Sequence, residues 1–419
     1  MSKTRRSLPP WLVGAGSIAV AIGLMNLGTY GYTIIAARLL GPGSYGAFAS
    51  LMAALLVVSV LPLGLQATAA RRISAEPERV GEIEYSILRV TYRAAIGVGA
   101  VCLLLTPVIN LVLRLDNLTI AALVAVTAAP MTVMGGQAGI LQGERRWVPL
   151  ALLYVANGVP RLLIGTSLLL WQPSELNAVL GVVLGQFVPC LVGWHALRHR
   201  RQAGKTAGDH ATRPVLREAV HNSQALFAYF ALSNVDVVVA RNVLDDRAAG
   251  LYAGGLILTK AVLFLPQFVV VLAFPAMSST GARRRALGRA LGLVAVLGAA
   301  AVGGAWLLPE LALVFVGGDD YSDIQSRLWL FAVLGTALAM LQLLVYSVVA
   351  RQGRRSVYVI WLALATLIAI GSTATSLGGL LARVLTVDLT LLVLLAGTSL
   401  VLLRSPAPTD DSEPADAPR

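Results

Sequence analysis

Three ionisable residues stand in stretches of sequence that are otherwise apolar. Arg161 is the only charged residue between positions 147 and 170, Asp236 lies well inside 219–241, and Lys260 is the only charge in 250–277. At the centre of a bilayer each such group costs roughly 2.5–3.5 kcal/mol, so it is retained for a cavity, a partner or a ligand. Tyr154, Asn157 and Arg161 share one helical face, because residues three, four and seven apart stack on one side of a helix. Two further polar stripes have helical spacing, Asn26/Tyr30/Thr33 and Tyr229/Ser233/Asp236, and Arg38 and Arg241 stand at corresponding points after them. Arg89 and Arg93 are one turn apart.

Each residue also has a plainer role. Arg38, Arg241, Arg89 and Arg93 are long enough to snorkel to a membrane surface. Asp236 and Lys260 suit an ion pair that only fixes packing. Arg161 fits that plainer role least. It is about 21 Å along a helix from Trp147 and about 15 Å from Trp171, at 1.5 Å per residue. Pro160 beside it weakens the local helix. The deep set is mainly cationic, with Asp236 and Asp388 as its acids. Such a set favours an anionic ligand, and a guanidinium grips phosphate oxygens in pairs.

Catalytic patterns are missing. No phosphate-binding glycine loop, nucleophile elbow, paired catalytic carboxylates or metal-ligand cluster occurs, so the expectation is no enzyme, no metal and no cofactor. The four histidines, His195, His199, His210 and His221, lie in or beside one basic loop and read as solvated. Cys102 and Cys190 lie in apolar runs and read as packing residues. Asn117-Leu118-Thr119 matches a glycosylation sequon, a pattern frequent by chance.

The elements that hold these residues are long apolar runs. Hydrophobic residues make up 57% of the 419 positions and charged residues 13%, too little charge to cover a soluble surface. A bilayer core needs about 20 residues per helix. Spans are expected at about 11–37, 46–70, 84–113, 118–141, 147–170, 176–197, 219–241, 250–277, 287–308, 325–350, 357–376 and 380–403. The fold class is therefore all-α integral membrane, with about twelve transmembrane helices and no room for a soluble catalytic domain. A strand reading fails because the runs are too long and do not alternate. The basic start Lys3-Thr4-Arg5-Arg6 precedes a run with no clear cleavage site, so a retained first helix is expected.

Charge then sets orientation. With the first terminus inside, inside segments carry twenty-one lysines and arginines, and outside segments carry Arg38, Arg114, Arg241 and Arg247. That bias predicts that both termini are cytoplasmic, and the expected location is the inner (plasma) membrane, as a multi-pass protein. The formal charge of +12 sits in short loops, which argues against nucleic acid as a partner and leaves the lipid bilayer.

The longest inside loop, about 198–218, falls at the midpoint. It separates a first six-helix lobe (1–197) from a second (219–403), and a polar tail follows at 404–419. The lobes repeat one another. Tyr45-Gly46-Ala47-Phe48-Ala49 corresponds to Ala249-Gly250-Leu251-Tyr252-Ala253, with Pro62 and Pro266 each sixteen residues after the glycine. Ala37-Arg38 corresponds to Ala240-Arg241, and Gln142-Gly143-Glu144-Arg145-Arg146 to Gln352-Gly353-Arg354-Arg355. Six helices per lobe give both the same orientation, so a pseudo-twofold axis along the membrane normal relates them.

The segment from Ala37 to Phe48, ALL of it following a first apolar helix, resembles the polysaccharide biosynthesis (Wzx-type, O-antigen) flippase families. Their superfamily also holds the MATE drug exporters and the lipid II flippases. Leu141-Gln142-Gly143-Glu144-Arg145-Arg146 is similar too, and Ala350-Arg351-Gln352-Gly353-Arg354-Arg355 echoes it. The resemblance covers the whole chain in layout and is specific over about 30–70 and 136–147. It implies a two-lobed bundle with a central cavity. It also implies alternating access that carries a polyprenyl-pyrophosphate-linked glycan to the outer leaflet, in partnership with glycan assembly enzymes. The first lobe has no deep Asp or Glu, a departure from the MATE pattern that counts against a MATE-like multidrug antiporter. A membrane glycan polymerase or ligase would need a larger outside loop than the one at about 309–324. A non-transporting scaffold is the fourth reading.

Overall fold

The computed structural model describes residues 15–198, 212–263, 283–350 and 354–404. The first residues of the first expected span, most of the central loop with His199 and His210, the inner part of the eighth span with Pro266, positions 351–353, and the tail from 405 lie outside the described residues.

The first helical segment, α1 (Ala15–Val58), is interrupted at Gly41, whose φ of 68° and ψ of 171° are not helical. Glycine adopts positive φ without a steric penalty, and Pro42 behind it suits the start of a new helix. The chain reverses there. Tyr32 and Phe48 meet edge to face with ring centroids 5.9 Å apart, where an unbroken helix would separate them by about 24 Å. This segment therefore accounts for the first expected span and the start of the second. The second continues through α2 (Val60–Ala75).

The rest of the first half follows as α3 (Val80–Leu104), α4 (Thr106–Leu113), α5 (Leu118–Gly143), α6 (Trp147–Trp171) and α7 (Glu175–Leu197). The expected single span 84–113 is broken at Leu105, one residue before the Thr106-Pro107 start of α4, because proline cannot donate to the preceding turn. The second half comprises α8 (Thr212–Val243), α9 (Asp246–Leu263), α10 (Arg283–Leu307), α11 (Pro309–Val316), α12 (Leu328–Ala350), α13 (Arg354–Gly371) and α14 (Leu377–Arg404). The expected 309–324 loop is instead α11 and a 3-10 stretch, Asp319–Arg327.

Among the described residues no strand is present, and nine helical stretches are long and apolar enough to cross a membrane. One of them, Gly16–Ala75, contains the reversal at Gly41 and so crosses twice. Leu104, Ile96, Trp171 and Val393 are more than 70% exposed, as expected of side chains that face lipid.

Helices α1 to α7 pack among themselves and α8 to α14 among themselves, while α1 lies against α8 and α9, and α2, α3 and α4 lie against α8. Ala36, Ala37, Tyr45, Ala249, Tyr252 and Tyr321 belong to one apolar core that both halves share. A separate core of Ile73, Ile83, Leu141, Leu150 and Leu197 fills the opposite end of the first half. The shared core runs on in the second half as far as Ala225 and Val345, and the part of it where the halves meet lies beside the turns after Leu40 and Val243. Gly46 and Gly250, matched by the sequence repeat, touch there. A Cβ added to Gly46 would lie 3.1 Å from the Gly250 nitrogen, and one added to Gly250 would strike the Pro42 carbonyl.

Candidate functional site

Helix α6 packs on α1 and α7, which turns its polar stripe toward the two arms of the α1 hairpin. Tyr154 Oη accepts a hydrogen bond of 2.8 Å from Gln66 Nε2, which also donates to Gln142 Oε1 at 2.9 Å. Asn157 Nδ2 points to Met25 Sδ at 3.5 Å, and Arg161 Nη2 to Met52 Sδ at 3.9 Å. A thioether is a weak acceptor, and a guanidinium carries five donors. Arg161 is half-buried, and no carboxylate among the described residues lies within ion-pair distance of it. The nearby Tyr32 hydroxyl is committed to Ala178 O at 2.6 Å. The structure thus places a cation at membrane depth, held by one sulfur, with hydrogen-bonding capacity to spare.

The second half holds a buried polar cluster. Lys260 Nζ donates to Asn234 Oδ1 at 2.7 Å and to Ser233 O at 2.9 Å. Asp236, 3% exposed, accepts from Tyr252 Oη at 3.0 Å and from the Val237 amide at 2.9 Å. The expected direct pair between Asp236 and Lys260 is not formed, since each has its own neutral partners, although the two charges still attract. Asp388 on α14 is 1% exposed, close enough for its charge to act on Asp236, and its Oδ1 has no hydrogen-bond partner among the described residues.

The two stripes diverge. Tyr30 Oη donates to Ile257 O of α9 at 3.0 Å, so the Asn26/Tyr30/Thr33 face of α1 does meet the other half, whereas Thr33 bonds back to Thr29 O. Tyr229 donates to Leu338 O at 2.9 Å and is 1% exposed. The Tyr229/Ser233/Asp236 face therefore turns into the second half, against α12 and α9, rather than toward the first.

Arg38 and Arg241 are anchored rather than snorkelling. Arg38 Nη2 donates to Val314 O of α11 at 2.6 Å. Arg241, 5% exposed, donates to Arg114 O at 2.6 Å and Leu113 O at 3.5 Å, and pairs with Asp246 Oδ1 at 2.8 Å. Arg89 and Arg93 are exposed on α3, apart from this set.

The motif at 142–146 makes a tight turn. Arg145 takes a left-handed φ of 55°, and Arg146 ties the turn to the end of α7 through Ala196 O at 2.8 Å. A cavity of about 430 Å³ opens between α10, α12 and α14, lined by Ala295, Ala299, Gly303, Thr336, Met340 and Leu392 among others. None of the candidate site residues lines it. No group of three or more metal-ligating side chains occurs among the described residues.

Sequence reasoning did not foresee Met25, Met52, Gln66, Asn234 or Tyr252. The methionines and Tyr252 carry no signal in an apolar run. Gln66 and Asn234 are polar residues inside spans and could have been singled out on that ground.

Comparison with known proteins places these residues in a family. The profile of a family described as "Polysaccharide biosynthesis protein" matches residues 12–280. No curated protein matches in sequence. Several solved structures share the fold. An inward-facing multidrug resistance MATE family transporter of the MOP superfamily superposes with a TM-score of 0.67 at 14% identity, over 95% of this chain and 98% of that one. The lipid II flippase MurJ, in an inward closed conformation, gives 0.68 at 12% identity, over 91% and 87%. A MOP superfamily transporter from Pyrococcus furiosus, described as having a binding pocket of reverse polarity, gives 0.63 at 15% identity, over 96% and 100%.

Proposed function

The chain belongs to the polysaccharide biosynthesis protein family, and we propose that it is a flippase for a polyprenyl-pyrophosphate-linked oligosaccharide or a related polysaccharide precursor. One observation carries this reading. Arg161 holds a guanidinium at membrane depth whose only hydrogen-bond contact among the described residues is the Met52 sulfur. A phosphate oxygen is the ligand such a group lacks. Asn157 and Tyr154 extend the site as hydrogen-bonding groups for a sugar or phosphate, and Lys260 offers a second cation from the other half.

We read residues 1–197 and 219–403 as two lobes joined by a cytoplasmic linker at 198–218, with a pseudo-twofold axis passing near Gly46 and Gly250. Both termini lie in the cytoplasm, so a substrate assembled on the inner leaflet leaves toward the end that carries Arg38 and Arg241. Glycan assembly enzymes are the partners this reading requires. A second reading, cation-coupled antiport, is favoured by the two buried carboxylates Asp236 and Asp388.

The test is reconstitution. Purified protein in liposomes should move a fluorescent polyprenyl-pyrophosphate oligosaccharide between leaflets, and Arg161→Ala should not. Movement of an organic cation against a sodium or proton gradient, with no movement of the lipid, would replace the flippase reading with the antiport one.

A further inference from the structure

The repeat brings out a pair of contacts between the halves. Helices α4 and α11 are both eight residues long and both have proline in the first turn. Each ends against an arginine of the opposite half. Arg241 of α8 reaches the end of α4, and Arg38 of α1 reaches the end of α11. The last carbonyls of a helix have no partner within it and carry partial negative charge. A guanidinium from the other half satisfies both needs at once.

We propose that Arg241 and Arg38 are two latches, equivalent by the internal repeat, that hold this end of the bundle closed, with Arg241 the stronger. The proposal rests on the flippase reading only in that such a protein must open here to release its cargo. Arg241 is stronger because it is buried and binds two carbonyls of α4, and Arg114 Nη1 returns a bond of 3.1 Å to Arg241 O. Arg38 is exposed and makes one such bond. Stripping a buried guanidinium of its partners is costly. Asp246 lies in the same half as Arg241, five residues on, and its side chain is 74% exposed. It stays with Arg241 when the halves part, so the charge is never left bare and the latch can reopen and close. Position 42, the repeat counterpart of Asp246, is a proline, so the Arg38 latch has no such companion.

The experiment is thiol labelling in a Cys102→Ala, Cys190→Ala background. A reporter, Met52→Cys, sits beside Arg161, and a separate Asp320→Cys marks the face to which the latched end belongs. A charged, impermeant methanethiosulfonate is applied to intact cells and to inverted vesicles. Arg241→Ala should speed labelling of position 52 from the marked face by roughly tenfold, the scale of one lost charge-assisted hydrogen bond. Arg38→Ala should have a smaller effect in the same direction, and the double variant a larger one. An unchanged rate in Arg241→Ala, at normal membrane abundance, would overturn the proposal. If Arg241→Ala is lost from the membrane, Arg38→Ala with Asn242→Ala takes its place. Both positions are exposed, and Asn242 Nδ2 also binds Val112 O across the halves at 2.7 Å. An unchanged rate there overturns the proposal equally. The assay needs no substrate, so a shifted labelling rate in a protein that moves no glycan lipid would leave the latch standing and remove the flippase reading.

Discussion

Arg114 and Arg241 exchange bonds across the two halves: Arg241 Nη2 donates to the Arg114 carbonyl at 2.6 Å, and Arg114 Nη1 donates to the Arg241 carbonyl at 3.1 Å. Arg114 takes the left-handed conformation, φ 48°, that ends α4 and exposes its last carbonyls. The same device recurs where Arg146 meets the end of α7 and Arg383 meets Ile370 O at the end of α13. This accounts for arginines that run against the charge bias. Arg38, Arg114 and Arg241 satisfy helix ends, and Arg247 pairs with Asp323 at 2.9 Å.

Arg161 is the first residue to test. Arg161→Ala should abolish glycan export while the protein remains at normal level in the membrane fraction. Arg161→Lys keeps the charge but loses the two-point grip, so export should be partial. Complementation of an export-deficient strain, read with membrane abundance, checks both. Normal export from Arg161→Ala would remove the residue from the site.

The Asp236 carboxylate should couple to Tyr252 more than to Lys260. Asp236→Asn removes the charge, and Tyr252→Phe the donor, of a buried charge-assisted hydrogen bond worth about 1.5–3 kcal/mol. A double-mutant cycle on detergent stability should give a clear interaction energy for this pair. The Asp236→Asn, Lys260→Met cycle should give a smaller one, since no ion pair links them. The reverse ranking would show that the long-range attraction dominates.

Much of this arrangement was legible in the sequence, and the reasons for the rest are specific. The turn between the first two spans, most of the long apolar helices and the Gly46/Gly250 correspondence follow from residue types that admit few alternatives, whereas the break of 84–113 at Leu105 and the helix within 309–324 do not. Arg327 and Arg383 fell inside expected spans; the structure puts Arg327 just before α12, while Arg383 lies within α14 and reaches back to Ile370 O at the end of α13, a contact hydropathy does not mark. Spacing put Tyr229, Ser233 and Asp236 on one face without saying what covers that face. The neighbours of Arg161 are more than 100 positions away in Met52 and Met25 for its stripe, and no local pattern encodes such contacts.

Topology is open to a direct check. Glu78 and Asp320 are exposed at opposite ends of the bundle. With the charge bias setting orientation, an impermeant thiol reagent should label Asp320→Cys on intact cells and Glu78→Cys only in inverted vesicles. Labelling of Glu78→Cys from outside would invert the orientation.

The Gly46/Gly250 contact yields the most discriminating stability prediction. A methyl group at Gly250 would strike the Pro42 carbonyl, a backbone atom that cannot swing aside. At Gly46 the added methyl would meet Gly250 at 3.1–3.2 Å, a gap that a shift of a few tenths of an ångström relieves. Overpacking a tight site costs about 1–3 kcal/mol. Gly250→Ala should therefore lower the detergent melting temperature clearly more than Gly46→Ala, though the two positions match in the repeat. Both glycines lie where the halves meet, so Gly250→Ala should also wedge this end apart and raise labelling at position 52. Equal losses of stability at the two positions would mean that the contact is loose and that the halves are held here by the arginines alone.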